Sequence, residues 1–408
     1  MKITKLSDLN TFKRLLKEDI NGRKVDIFKI SEVIPFETFY PNFLFKGMVN
    51  NQYTFIKPID ERVMSLNFES VYEIDDVSVD IKSFESNPLF YFIYNTDNYY
   101  HFVYDSLPYL ISYLELKKEI SNLKLLMNYP NHSKKEFYRF VLEFLEILNI
   151  KLDDIVIVDK NTKYDEIYIS DSYTHGINSN LPPRSEIYDL YSNIVSIIKG
   201  LELSKKEFPK KIYISRRTWL NNDTSNIGTN YTTRRKLECE DELVSILDKN
   251  GYVEIFTETL STIDKILLFD QVSEVIGSIG GGLCNILFSK KECKLISICS
   301  PTFLDINNRF KFCFTNVETL YYENSFHIEN DYWKKWMRVK CENIVGEIEE
   351  VLDDSLIVSY TDNIVAGWNS EMEYKKVKLK KEECIALDYG LNSNWSINLD
   401  YFIKNISK

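Results

Sequence analysis

His101 and Asp105 stand one helical turn apart in NYYHFVYDSLP (98–108), which follows the unbroken apolar run PLFYFIY (88–94). Residues four apart share one helix face, and such a run reads as a strand buried on both sides in a parallel sheet. At the carboxyl end of that strand the pair can carry general acid–base chemistry. Asp105 can be the base with the imidazole beside it, or His101 can be the base while the carboxylate orients it. The same residues also fit a first-turn carboxylate favoured by the helix dipole next to a core histidine.

A second group suits an anion. EVIGSIGGGLCNILF (274–288) joins an apolar strand to a helix start through Gly280, Gly281 and Gly282. Three adjacent glycines predict positive φ and close approach of a ligand to main-chain N–H groups. At a helix mouth those groups favour a phosphate, although a ligand-free turn has the same sequence signature. Arg216 and Arg217 follow the strand KIYIS, where guanidinium forks suit bidentate phosphate contacts. Arg234 and Arg235 precede a helix bearing Glu240 and Glu242, and fit either the same anion or a solvated basic loop. Glu258, after YVEIFT, either accepts hydrogen bonds from ribose or sugar hydroxyls or caps the next helix.

The elements that must position these groups alternate along the chain. Residues 1–85 read as a helix over LSDLNTFKRLLKED (6–19) and then short strands, and 86–205 alternate strand with helix. A charged hinge, GLELSKKEFP (200–209), leads into a second alternating series over 206–325. In it Ser261 caps one helix and Gly251 ends another. From 326 to 408 the pattern becomes a helix over DYWKKWMRVKCENIVGEI (331–348) and then short strands, a small C-terminal helix and β-rich appendage. The expected fold is α/β. Two doubly wound domains, 1–205 and 206–325, would face a cleft across the carboxyl ends of their sheets.

Composition narrows the function classes. The chain has 408 residues, 44% hydrophobic and 27% charged, enough for more than one core. A net charge of −11 argues against a general nucleic-acid binder, which needs a basic face. Seven cysteines with no CxxC pair predict buried free thiols, not a zinc site or a disulfide framework. No signal-like segment or long uncharged apolar window is visible, so the expectation is a cytoplasmic protein with at most peripheral membrane contact. The wealth of Ile, Lys, Asn and Tyr points to AT-rich coding and a bacterial or viral source.

Taken in order, these segments resemble glycosyltransferase family 61, which includes plant xylan xylosyl- and arabinosyltransferases, the EGF-domain O-linked GlcNAc transferase and many bacterial polysaccharide enzymes. The N-Y-x-H-x-x-x-D-x-L-P signature matches Asn98, Tyr99, His101, Asp105, Leu107 and Pro108. The strand ending in S-R matches Ser215 and Arg216, and R-x-x-x-N-E-x-E-L matches Arg235, Glu240, Glu242 and Leu243. E-x-L-S matches Glu258, Leu260 and Ser261. G-x-H-G-A-G-L-x-N-x-x-F matches Gly277, Gly280, Gly282, Leu283, Asn285 and Phe288. The chain departs from the pattern at Ile279, where the family has histidine, at Gly281 for alanine and at Cys239 for asparagine.

The resemblance implies a GT-B architecture, a nucleotide-sugar donor, UDP-linked in the simplest case, an oligosaccharide or glycoconjugate acceptor, and inversion at the anomeric carbon. On it, Asp105 supported by His101 is the expected base. Arg216 and the backbone of Gly280, Gly281 and Gly282, assisted by Arg235, are expected to cradle the diphosphate, with Glu258 and Asn285 in the donor pocket. No convincing D-x-D loop is present, so neither an essential metal nor a cofactor beyond the donor is expected. Two other readings compete. One is a degenerate transferase that binds glycans, motivated by Ile279. The other is an NAD-dependent oxidoreductase, weakened by the absence of G-x-G-x-x-G around Gly280.

Overall fold

The computed structural model describes six short or medium strands within 1–80 and residues 81–92, 98–129, 135–159, 161–170, 172–174, 182–201, 206–217, 236–301, 308–328, 333, 335, 337–342, 344–360, 375–386 and 394–406. Two compact units divide the chain: Met1–Lys205 with Asn226–Thr229, and Lys206–Ser225 with Asn230–Lys408.

In the first unit, eleven described strands share one sheet: β1 (Ile3–Thr4), β2 (Lys13–Leu15), β3 (Ile27–Glu37), β4 (Asn42–Lys46), β5 (Tyr53–Ile56), β6 (Val71–Glu73), β7 (Ser83–Glu85), β8 (Leu89–Tyr91), β9 (Lys124–Met127), β10 (Ile155–Ile157) and β11 (Thr162–Ser170). Their order is β1-β6-β5-β4-β3-β11-β8-β9-β10, with β2 on β3 and β7 on β11. The half made of β11, β8, β9 and β10 is parallel, whereas β3 pairs antiparallel with β11 and leads into an antiparallel meander. Three helices accompany the parallel half: α1 (Tyr109–Glu119), α2 (Arg139–Ile147) and α3 (Glu186–Lys199). In α3 the buried residues Ile187, Leu190, Tyr191, Ile194 and Ile198 recur at helical spacing, which makes one apolar face. β8 is buried along its whole length, as its unbroken apolar run predicts.

The second unit contains β12 (Lys211–Ile214), α4 (Glu240–Lys249), β13 (Val253–Ile255), α5 (Thr262–Gln271), β14 (Glu274–Ser278), a 3₁₀ helix over Gly281–Phe288, β15 (Lys294–Ile298) and β16 (Glu318–Tyr322). The strands form a parallel sheet in the order β13-β12-β14-β15-β16, so the winding direction reverses between β12 and β14. Ser261 caps α5, its Oγ accepting from Asp264 N at 3.0 Å, and such a cap contributes about 1 kcal/mol. Gly251 ends α4 at φ 81, the left-handed conformation expected there.

Beyond β16 lie β17 (Ser325–His327), β18 (Arg338–Cys341), β19 (Ile344–Val351), β20 (Ser355–Tyr360), β21 (Lys375–Lys380), β22 (Ile385–Ala386), β23 (Trp395–Ile397) and α6 (Leu399–Ile406). Strands β18–β22 form a five-stranded antiparallel sheet with its own small core around Met337, Val339, Ile348, Leu356 and Val358. The chain end behaves differently. Trp395, Ile397 and Phe402 pack with Tyr213, Leu243, Leu247 and Ile276 in the core of the parallel sheet. Trp395 also bonds to the segment before α4, its N donating to Lys236 O at 3.0 Å and its O accepting from Glu238 N at 2.9 Å.

Two expected helices are strands instead. Lys13–Leu15, inside the N-terminal stretch read as helical, is β2 and pairs with β3; the rest of that stretch lies outside the described residues. Residues 338–341 and 344–348, read as helix, belong to the antiparallel strands β18 and β19, with Glu342 at φ 49 after β18. Met337, Val339 and Cys341 alternate onto the small core, and pairing with β19 and β22 satisfies a period-2 pattern that a helical count over Trp333, Met337, Cys341 and Ile344 masks.

Candidate active site

In the first unit the chemistry begins where β8 ends. Residues 101–106 form a π turn: Leu107 N donates to Phe102 O, five residues back, at 2.8 Å. Pro108 has no N–H to give, so the Val103 carbonyl loses both its ordinary helical donor and the next one along. Tyr191 of α3 supplies the missing donor through its hydroxyl, at 2.8 Å. This wide turn brings His101 Nδ1 to 2.7 Å from Asp105 Oδ2. The other carboxylate oxygen accepts from Thr174 Oγ1 at 3.0 Å. Thr174 follows β11, the strand beside β8, so two neighbouring strands deliver the pair at their carboxyl ends.

Exposure separates the roles of the two residues. Asp105 is 2% exposed with both oxygens engaged, whereas the His101 side chain is 37% exposed. A carboxylate accepting at Nδ1 places the proton there and the basic lone pair on Nε2. Such an arrangement orients an imidazole for proton abstraction. Tyr100 and Phe102 are buried and pack in the core, so of the aromatic residues flanking the pair only Tyr99 is half-exposed.

In the second unit the reversal of strand order between β12 and β14 defines a crevice outside their carboxyl ends, where ligands of doubly wound sheets bind. Arg216 follows β12 and Gly280 follows β14, one on each side of it. Arg216 Nη1 donates to Ile279 O at 2.8 Å, which lays the guanidinium against the Ile279–Gly280 backbone. Among the described residues no side-chain acceptor is bonded to that guanidinium, which leaves N–H groups for an anion. Burial lowers the pKa of Arg216, and the nearby Glu240 opposes that shift.

Glu240, the first residue of α4, ties this corner together. Its Oε1 accepts from Arg216 N at 2.8 Å and Tyr213 Oη at 2.8 Å, with Ser215 Oγ at 3.5 Å. The carboxyl is 2% exposed, and burial raises its pKa against the pull of Arg216 N–H, the Tyr213 hydroxyl and the Arg216 charge. Arg217 takes no part in the crevice. Its guanidinium is forked onto Glu254, at 3.0 and 2.5 Å, and reaches Asp241 at 2.6 Å, so its charge is already matched.

The glycines act differently from the expectation of positive φ. Gly280 has φ 171, extended backbone open to any residue, and among the described residues Gly251 is the glycine with positive φ. What Gly280 and Gly282 supply is the missing Cβ. A Cβ on Gly280 would lie 2.8 Å from Arg216 Nη1, and one on Gly282 would lie 2.6 Å from Thr257 Oγ1. Gly281 opens the 3₁₀ helix. Asn285 is fully buried and donates to Gly282 O at 2.8 Å, so it holds the turn in shape. Ile279 is 4% exposed, its side chain facing the core where the family pattern has histidine. Glu258 is half-buried in a 3₁₀ turn at the carboxyl end of β13, next to β12. Arg235 lies outside the described residues.

Thr174, Tyr191 and Thr257 were not legible as site residues, because nothing local marks them; each matters through a strand or helix that is its neighbour only in space. Among the described residues no group of three or more His, Cys, Asp or Glu side chains is arranged to hold a metal, and no helix is long and apolar enough to cross a membrane.

Residues 99–296 match the family described as Glycosyltransferase 61. No curated protein matches the chain significantly. The residue groups described in the two units, from His101 to Asn285, fall inside the matched span. Over that span, a little under half of the chain, the match supports a place in glycosyltransferase family 61 and a glycosyltransferase activity.

Proposed function

We propose that the protein is an inverting glycosyltransferase of the GT-B type that moves a sugar from a UDP-linked or other nucleotide-sugar donor to an oligosaccharide or glycoconjugate acceptor. Its setting would be the synthesis of a bacterial surface polysaccharide, a capsule or lipopolysaccharide, in the cytoplasm with at most peripheral contact at the inner face of the membrane. In this reading 1–205 serves the acceptor, 206–325 serves the donor and 326–408 is the appendage.

The observation that carries the donor half is Arg216 and Gly280 flanking the reversal point of a parallel sheet. A guanidinium there can neutralise the departing diphosphate, so charge stabilisation is supplied without a metal ion. On the acceptor half we assign the base to His101, with Asp105 and Thr174 fixing its tautomer and orientation. That reverses the expectation in which Asp105 abstracts the proton, because a carboxylate with both oxygens bonded and 2% exposure reaches an acceptor hydroxyl poorly. Inversion then needs one displacement: Nε2 takes the proton as the acceptor oxygen attacks the anomeric carbon and the diphosphate departs.

A thermal-shift series with UDP, GDP, CMP and NAD tests the assignment, since a ligand that binds only the folded state raises the melting temperature. Stabilisation by one nucleoside diphosphate, lost in Arg216→Ala, is the expected result. A response to NAD alone overturns it in favour of an oxidoreductase, and no response to any nucleotide favours a degenerate glycan-binding protein.

A further inference from the structure

The antiparallel sheet β18–β22 carries two of the seven cysteines, and the strand register sets them face to face. Val339 pairs with Ala386 and Lys340 with Ile385, so the next step along the two strands places Cys341 opposite Cys384. Both side chains turn the same way. Cys341 belongs to the small core with Met337, Val339 and Ile348, and Cys384 and Ala386 pack against that core from β22 and the turn before it. The residues between them in register, Lys340 and Ile385, point to the opposite face, where Ile385 is exposed. The Cys341 thiol is near enough to raise the pKa of the Cys384 thiol.

Directly opposed residues of an antiparallel pair have Cα atoms roughly 4.5–5.5 Å apart, inside the span of about 4.4–6.8 Å that a disulfide bridges. All seven thiols are unbridged in the structure. Packing alone explains a buried thiol as a small apolar side chain, but it does not require two of them at opposed positions of two short strands.

We propose that Cys341 and Cys384 are a disulfide-forming pair, a modification site that closes the C-terminal sheet into a covalent loop under a thiol oxidant. Cys384 is the half-exposed partner and Cys341 the buried one, which sets the order of events. With a low-molecular-weight disulfide such as oxidised glutathione as oxidant, the Cys384 thiolate attacks one of its sulfurs and releases one glutathione thiolate. Cys341, deprotonated in turn, attacks the Cys384 sulfur of the mixed disulfide and expels the second glutathione. Two protein thiols lose two hydrogens in all, and one glutathione disulfide becomes two thiols. Burial pushes the Cys384 thiol up to about 11, with Cys341 and Glu383 adding to the shift, so the thiolate is scarce near neutral pH and exchange is favoured at alkaline pH. The bridge would enclose β19, β20 and β21 and restrict the unfolded chain more than the folded one.

The test treats the intact, folded protein with oxidised glutathione at mildly alkaline pH, blocks the remaining thiols and maps peptides without reduction. The expected result is a Cys341–Cys384 linked peptide, the other five cysteines alkylated, and a melting temperature higher by roughly 5–10 °C that returns on reduction. In Cys341→Ser the glutathione adduct should accumulate on Cys384, because the resolving thiol is gone. The proposal is overturned if wild type keeps the adduct on Cys384 without closing the bridge. It is overturned equally if Cys384 pairs with another cysteine, or if neither thiol reacts in the folded protein while both react in denaturant.

Discussion

Replacing Gly280 with alanine adds one methyl group, and its consequence can be worked out from the position of Arg216. The new Cβ would stand 2.8 Å from Nη1, against an ordinary contact of about 3.5–4.0 Å. The guanidinium must therefore retreat by about 0.7 Å or more, which breaks its 2.8 Å bond to Ile279 O. The backbone accepts alanine at φ 171, so no strain is added. Stability should fall by about 0.5–2.6 kcal/mol, because the lost charged hydrogen bond costs about 1.5–3 kcal/mol and reduced unfolded-state entropy returns only about 0.4–1 kcal/mol. Ligand binding should suffer as well, since a displacement near 1 Å in a positioning group can cost up to about 100-fold. On the proposed function, Gly280→Ala should weaken binding of whichever nucleoside diphosphate stabilises the wild type by about 10- to 100-fold, or about 1.4–2.8 kcal/mol, in titration calorimetry. Because the methyl acts through the arginine, the double variant Gly280→Ala/Arg216→Ala should bind no more weakly than Arg216→Ala alone. Wild-type affinity in Gly280→Ala, or losses that simply add, would refute the placement of Arg216 as the group that meets the diphosphate.

His101→Ala should lower kcat by about 10²–10⁴-fold with nucleotide affinity unchanged; if Asp105 is the base itself, His101→Ala keeps most of its activity and Asp105→Asn loses it. Glu240 gives a pH signature. Its pKa is raised by burial, so between the ordinary carboxyl range and that raised value the folded state holds a proton that the unfolded chain has released. Wild-type stability therefore falls as pH rises through that window and the loss is complete above it. Glutamine does not titrate, so the melting temperature of Glu240→Gln relative to wild type should move in the variant's favour as pH rises above the ordinary carboxyl range, and a constant difference would contradict the buried, proton-holding carboxyl. Trp395→Ala should cost about 3–5 kcal/mol in urea unfolding, because the ring is 2% exposed in the core of the parallel sheet; a loss below about 1 kcal/mol would mean that the chain end is a separate appendage.

Local periodicity and capping made much of this protein legible from its sequence. The unbroken run leading to β8, the strand–helix alternation, the Ser261 cap and the Gly251 terminus all depend on neighbours within a few residues, and all are present. The His101–Asp105 contact was legible for the same reason, because four-residue spacing along a turn is a local fact.

Tertiary structure decided what the local pattern leaves open. Arg216 and Arg217 are alike in sequence, yet one lies along the glycine turn and the other is forked onto Glu254 of the adjacent strand, since successive side chains at a strand end point to opposite sides. Thr174 reaches Asp105 only because β11 lies beside β8, and strand order is a choice among non-local pairings that the sequence does not spell out. Residues 338–341 became a strand because pairing with β19 and β22 outweighs a weak helical preference. The sequence by itself thus determined which segments fold locally and which residue types the family's chemistry needs. Burial and long-range pairing, which depend on where distant segments meet, decided which of those residues keep polar groups open and which are tied into the scaffold.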